Sequence, residues 1–250
     1  MKKFNSTKAS FKQNSFITRY CLDVVVILAL LGPLAQNGRC DFILYNDEEL
    51  TVNSFHNQGT LFDTSRVFIV SGGFMGYLYA YNSSTANISG GLNYLQACDS
   101  STANISGGSM DELAVSDFST VNMSSGYVNY LQTYYSSTAN ISGGSIGDVL
   151  VAFNSSTMNI SGGSMNDLWA CNSSVVTFYG RDFGLGTGLT WDGNRVLGLG
   201  TLSGEWMDGT RWATNIAYNE TTATIRVIPE PATLLLLGLG AVMLRRKLFK

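Results

Sequence analysis

The chain has 250 residues, 45% hydrophobic and only 13% charged, with 27 glycines, and its formal charge of −3 conceals a segregation along its length. Met1 to Arg39 holds six basic residues and one acid, whereas Asp41 to Glu230 holds 17 acids and five arginines, a charge of −12, with no lysine between Lys12 and Lys247. A polyanionic, lysine-free body excludes nucleic-acid binding, which rests on neutralising phosphates, and the composition fits one β-rich body with processed ends rather than two enzyme-like domains.

Residues 1–40 read as a signal peptide for the Sec export machinery. Lys2, Lys3, Lys8, Lys12 and Arg19 form a basic region, and Val24 to Leu34 form an apolar run of secretory length, too short for a membrane span. Cleavage after Ala35 would remove Cys21, and cleavage after Cys40 would remove Cys40 as well and leave Cys98 and Cys171 in the body.

Residues 41–184 are organised by a repeat. The unit Ser-Ser-Thr-Ala-Asn-Ile-Ser-Gly-Gly puts its asparagine at Asn87, Asn104, Asn122, Asn140 and Asn159, with Thr177 in a degraded last copy, at spacings of 17, 18, 18, 19 and 18 residues. Such a fixed period marks a stack whose units bury their apolar faces against their neighbours. Thr-Ala-Asn-Ile-Ser alternates polar and apolar, which predicts a strand with one wet face. Glycine pairs and β-branched residues at this density oppose helix.

The fold predicted is therefore all-β, a parallel β-helix of about 18 residues per coil with rungs roughly 4.8 Å apart. Ile88, Ile105, Met123, Ile141, Ile160 and Phe178 form one apolar file, and Leu95, Leu113, Leu131, Val149 and Leu168 form another. The slips in spacing are expected in the turns, because a slip inside a strand would reverse its faces. Val67 to Gly73 and Leu50 to Asn53 extend the periodicity toward the N terminus. Cys98 and Cys171 share a column four rungs apart, roughly 19 Å, too far for a disulfide.

Polar columns offer candidate sites. Thr85, Thr102, Thr120, Thr138 and Thr157 run beside the asparagines as a regular lattice, read as a solubilising face; similar threonine arrays on β-solenoids bind ice. Asn82, Asp99, Asp117, Asn154 and Asn172 read as a turn ladder. Asp148 and Asp167 would be rung neighbours roughly 5 Å apart, the carboxylate separation of a retaining glycosidase and a weak candidate for calcium. Glu112, Tyr94 and Tyr130 share that column, so a carbohydrate-binding or carbohydrate-active surface is one alternative. No cofactor is implied, and a lone histidine, His56, leaves no metal-ligand set.

Residues 185–226 lose the period and read as a β-rich cap that closes the open end. Asp192-Gly193 and Asp208-Gly209 predict hairpins. Trp191, Trp206 and Trp212 are expected to supply the core of the cap, with a sugar-stacking platform as the other use.

Residues 227–250 carry the most specific signal. Pro229-Glu230-Pro231 leads into the apolar run Leu234 to Leu244, which stops at Arg245-Arg246-Lys247. This resembles the PEP-CTERM sorting signal of Gram-negative and planctomycete-type bacteria. The resemblance implies recognition by an exosortase, a short transmembrane helix in the inner membrane whose basic end stays cytoplasmic, cleavage near the motif, and delivery to the surface or extracellular matrix. The repeat body also resembles β-helix proteins abundant in planctomycetes. The expectation is an exported structural β-solenoid without catalysis; the alternatives are an exopolysaccharide-binding adhesin and a carbohydrate-active β-helix enzyme.

Overall fold

The structure, a computed structural model, describes residues 41–229. They form a β-solenoid of about eight turns built from stacked parallel strands. The first coils are β1 (Phe42–Leu44), β2 (Glu49–Val52), β3 (Phe55–Leu61), β4 (Arg66–Ile69), β5 (Phe74–Ala80), β6 (Thr85–Ile88) and β7 (Gly91–Ala97). In the central coils each strand runs through its corner unbroken: β8 (Thr102–Val115), β9 (Thr120–Thr133), β10 (Thr138–Ala152) and β11 (Thr157–Ala170). There follow β12 (Val175–Leu185), β13 (Leu189–Asp192), β14 (Arg195–Gly198), β15 (Gly200–Glu205), β16 (Arg211–Asn219) and β17 (Thr224–Pro229).

Like residues stack on like. Ile88 pairs with Ile105, Ile105 with Met123, Met123 with Ile141, Ile141 with Ile160 and Ile160 with Phe178, all in parallel register and all buried. Leu95, Leu113, Leu131, Leu150 and Leu168 line the opposite wall of the core. The occupant from β10 is thus Leu150, not Val149, which is half-buried on the outer side. Cys98 and Cys171 are buried and form no disulfide.

The slips in spacing are absorbed in two ways. Every turn between coils from Tyr45 to Ser174 is four residues long, so none of the variation sits there. The 17-residue copy is shortened by one residue at the glycine corner, where Ser89-Gly90-Gly91 replaces Ser106-Gly107-Gly108-Ser109. The 19-residue copy keeps its turn and bulges inside β10 between Ile146 and Val149, against both neighbouring strands. A bulge holds one extra residue and restores the inside-outside alternation beyond it, which is why the core face is not lost. At the corner itself Gly108, Gly126, Gly144 and Gly163 all have positive φ. A Cβ at Gly108 would lie 1.8 Å from the Gly90 carbonyl oxygen below it, so no other residue fits.

The four-residue turns are locked by the predicted ladder. Asn82, Asp99, Asp117, Asn154 and Asn172 have φ near +55°, the left-handed region that Asn and Asp tolerate best. Asn82 Oδ1 accepts from the Asp63 N–H at 3.1 Å, and Asp99 Oδ2 accepts from the Asn82 N–H at 2.9 Å. Tyr135 occupies the same position with φ 55°, a backbone conformation that Asn and Asp tolerate better than an aromatic residue. Tyr135→Asn should therefore raise stability by about 1 kcal/mol by relieving the strained backbone; a urea midpoint that stays or falls would count against this.

After Gly180 the chain leaves the stack and then rejoins it. β12 continues outward to pair antiparallel with β15, and β13 with β14 forms the first predicted hairpin. β16 then lies parallel on β11, with Ile216 on Leu168, and β17 lies parallel on β12, with Val227 on Phe178. The stretch 185–226 thus combines an antiparallel excursion with a further coil. Antiparallel β14 and β15 cover the edges of β17 and β16, so the end of the stack offers no long open edge.

Candidate functional site

Two outer faces carry regular chemistry. The first holds the Thr-x-Asn-x-Ser lattice. Its asparagines form a continuous amide file: Asn104 Nδ2 donates to Asn87 Oδ1 at 3.0 Å, Asn122 to Asn104 at 3.0 Å, Asn140 to Asn122 at 3.0 Å and Asn159 to Asn140 at 2.9 Å. Beside it Ser106, Ser124 and Ser142 donate to the carbonyls of Ile88, Ile105 and Met123. A shallow groove of about 300 Å³ runs between the two files. Its polar groups are engaged along the stack and do not converge on a point.

The second face is aromatic. In one column Tyr77, Tyr94, Glu112, Tyr130, Val149, Asp167 and Asn215 succeed one another, and in the next Tyr79, Gln96, Ala114, Gln132, Val151, Trp169 and Tyr218 do so. Ring centroids are 6.1 Å apart for Tyr77 and Tyr94, 6.0 Å for Tyr79 and Tyr94, and 6.4 Å for Trp169 and Tyr218. Gln132 Nε2 donates to Glu112 Oε1 at 3.1 Å, and the Tyr134 hydroxyl donates to Gln132 Oε1. Tyr94 and Tyr130 flank Glu112 from the rungs below and above, as their spacing predicts. Trp169 and Tyr218 were not singled out from sequence, although Trp169 follows the core leucine Leu168 as Gln132 follows Leu131, and that offset was the available signal.

Burial, and then the neighbouring Asp111 carboxylate, raise the Glu112 pKa above the ordinary carboxylate value. Burial first and Glu112 second push the Tyr94 hydroxyl up, and the same two causes push Tyr134 up to about 12. A carboxyl whose pKa is higher in the folded state stabilises below its unfolded pKa, and that contribution is lost as pH rises through the folded value. Stability should thus fall across the window between the two values, and Glu112→Gln should flatten that part of the profile. Parallel urea titrations of the two proteins that show equal slopes would remove Glu112 as the cause.

The other predicted positions are distributed differently. Asp148 is not opposite Asp167: the bulge puts Val149 there, and Asp167 instead accepts from Asn215 Nδ2 at 3.0 Å. Asp148 is exposed, and its carboxylate beside the Tyr130 hydroxyl raises the pKa of that tyrosine. Asp148 and Asp167 are therefore not register partners. Trp206 and Trp212 are buried, with centroids 4.5 Å apart, and Trp212 also stacks on Phe178 at 5.0 Å. They serve the core, and their edges also line a groove of about 680 Å³ with Gly163, Ser164, Asp208 and Arg211. Trp191, expected in the core, is 44% exposed.

Among the sorting residues, Pro229 ends β17 and pairs with Gly180. Val227 N–H donates to the Asn194 carbonyl at 2.9 Å. The motif therefore begins on the last rung with no intervening linker. Glu230, Pro231, Arg245, Arg246, Lys247 and the apolar run between them lie outside the described residues, as does the predicted signal peptide. Among the described residues no helix is long and apolar enough to cross a membrane.

Residues 227–247 match the family described as the PEP-CTERM protein-sorting motif. The motif implies an exported protein, held in the membrane through its C terminus before processing, with an exosortase as processing partner. No curated protein and no solved structure matches the chain.

Proposed function

We propose that the chain is a structural component of a bacterial cell surface or extracellular matrix, exported through Sec, released by an exosortase, and without catalysis of its own. The observation that carries this reading is the amide file from Asn87 to Asn159, in which outward polar groups bond to their own copies. Side chains used in this way stiffen the rod and keep it soluble, and they leave no set of groups aimed at a reacting atom.

In a host that carries an exosortase, the full chain should reach the surface or medium, while a chain with Pro229→Ala, Glu230→Ala and Pro231→Ala should remain in the membrane fraction. Equal release of both would sink the sorting part. Hydrolysis of a polysaccharide by the purified protein, lost on Glu112→Gln, would sink the non-catalytic part.

The aromatic face favours a second reading, an exopolysaccharide-binding module. Tyrosine and tryptophan rings beside amides and a carboxylate combine stacking surfaces with polar groups that can orient a sugar. Migration in gels that contain the polysaccharide should be slowed, and Tyr94→Ala with Tyr130→Ala should relieve the slowing. Unslowed migration of the unaltered chain would leave the face a structural one.

A further inference from the structure

The place where the chain leaves the stack has a particular surroundings. β14 runs antiparallel to β17, so the tip of the β13–β14 hairpin, Asp192-Gly193-Asn194, lies beside Val227 at the start of the sorting segment. This hairpin carries exposed apolar side chains: Trp191 is 44% exposed and Leu197 38%, and Leu199, just past its end, is 52% exposed.

Charge divides along the rod in the same sense. Residues 41–180 hold one arginine and 11 acids, whereas residues 181–229 hold four arginines and five acids. One end is strongly anionic, and the end from which the tail departs is close to neutral. Glu230 to Thr233, the four residues between Pro229 and the apolar run, reach at most about 14 Å.

From these observations we infer that, before processing, the solenoid stands with its C-terminal end on the bilayer, and that the β13–β14 hairpin is a lipid-contacting surface. The inference rests on the membrane anchoring that the sorting motif implies. A tether this short brings the last rungs to the headgroup region whenever Leu234 to Leu244 is in the membrane. Tryptophan is the side chain best suited to that interface, and Leu197, on the other face of the hairpin because it pairs with Thr190 while Trp191 pairs with Val196, adds apolar area there with Leu199 beyond it. The anionic end would be repelled by acidic lipids, which favours the same orientation, and Arg195 and Arg226 lie on the paired strands at the tail's exit.

The test uses the full chain with vesicles of phosphatidylethanolamine and phosphatidylglycerol, some with acyl chains brominated near the carbonyl. The protein should float with the vesicles, and bromine should quench its tryptophan fluorescence at least twofold more than that of W191F. Trp206 and Trp212 are buried and report little, and the half-buried Trp169 is common to both proteins and sets the baseline. L197S with L199S, which keeps every tryptophan, should reduce the quenching.

Failure to float would overturn the anchoring itself and the inference with it. Flotation with equal quenching of the unaltered chain and W191F would overturn the inference alone. Shielding of Trp191 from acrylamide that grows with protein concentration, without lipid quenching, would assign the surface to a second copy and overturn it too.

Discussion

Trp212→Ala should cost about 3–5 kcal/mol, the range for truncating a large aromatic in a packed core. The Trp212 ring is sandwiched between Phe178 at 5.0 Å and Trp206 at 4.5 Å, and Phe183 meets it edge-on at 6.1 Å. The backbone at Gly204 closes over it, where a Cβ would fall 2.8 Å from the ring, so the site is matched to a tryptophan. Trp206 is pinned from the other side, its Nε1 donating to the Gly163 carbonyl at 2.8 Å. Removing Trp212 leaves a cavity between the last isoleucine-file residue and the antiparallel excursion. Since each coil contacts only its neighbours, the damage should start at the end: β16, β17 and the hairpins open first, and the central coils unfold later. Urea titration read by tryptophan fluorescence should show an early phase that far-UV circular dichroism follows only in part. A loss below about 1 kcal/mol would mean that the tryptophan cluster is a surface feature.

The stack was legible because identical residues recur at a nearly fixed interval. In a parallel solenoid that interval is the rung itself, so Ile88, Ile105, Ile141 and Ile160 had one arrangement that buried them all. The turn ladder was legible for a related reason: Asn and Asp at Asn82, Asp99, Asp117, Asn154 and Asn172 mark a left-handed backbone position, and Tyr135 escaped notice because its side chain gives no such signal. Where the repeat fades, sequence reasoning lost the thread. Asn215, Ile216 and Tyr218 resume the register of Asp167, Leu168 and Trp169 after an excursion of about thirty residues, and nothing in their order announces it. Trp191 was grouped with Trp206 and Trp212 by residue type, yet its hairpin tip leaves it in solvent while the other two close the core. The aromatic face was half visible: Tyr94, Glu112 and Tyr130 share a column by spacing, but its second column depends on residues that differ at every rung. The sorting segment was legible in full as a motif, and only the fold shows that Val227 to Pro229 are also structural, paired along β12.

The pair Leu150→Ala and Val149→Ala decides the remaining question of register. Leu150→Ala should cost about 2–5 kcal/mol and Val149→Ala less than about 1.5 kcal/mol, because the first empties a fully buried site and the second trims a half-buried one. Counting three residues on from Ile146, as the other copies do from Met110, Val128 and Met165, places Val149 inside; a bulge is needed to place Leu150 there. The residues at the bulge explain why it forms. Gly147 lies against the Tyr127 ring, where a Cβ would be 1.9 Å from the hydroxyl oxygen, so the tyrosine can lie across this strand only because the position is glycine. Asn166 donates to the Gly147 carbonyl from the rung above, and Asp148 is turned out to solvent. Leu150 and Ala152 then return to the core in step with Leu131 and Thr133. Should Val149→Ala prove as costly as Leu150→Ala, the strand would be unbulged, Asp148 would face Asp167, and the carboxylate pair that a glycosidase requires would be restored to the surface.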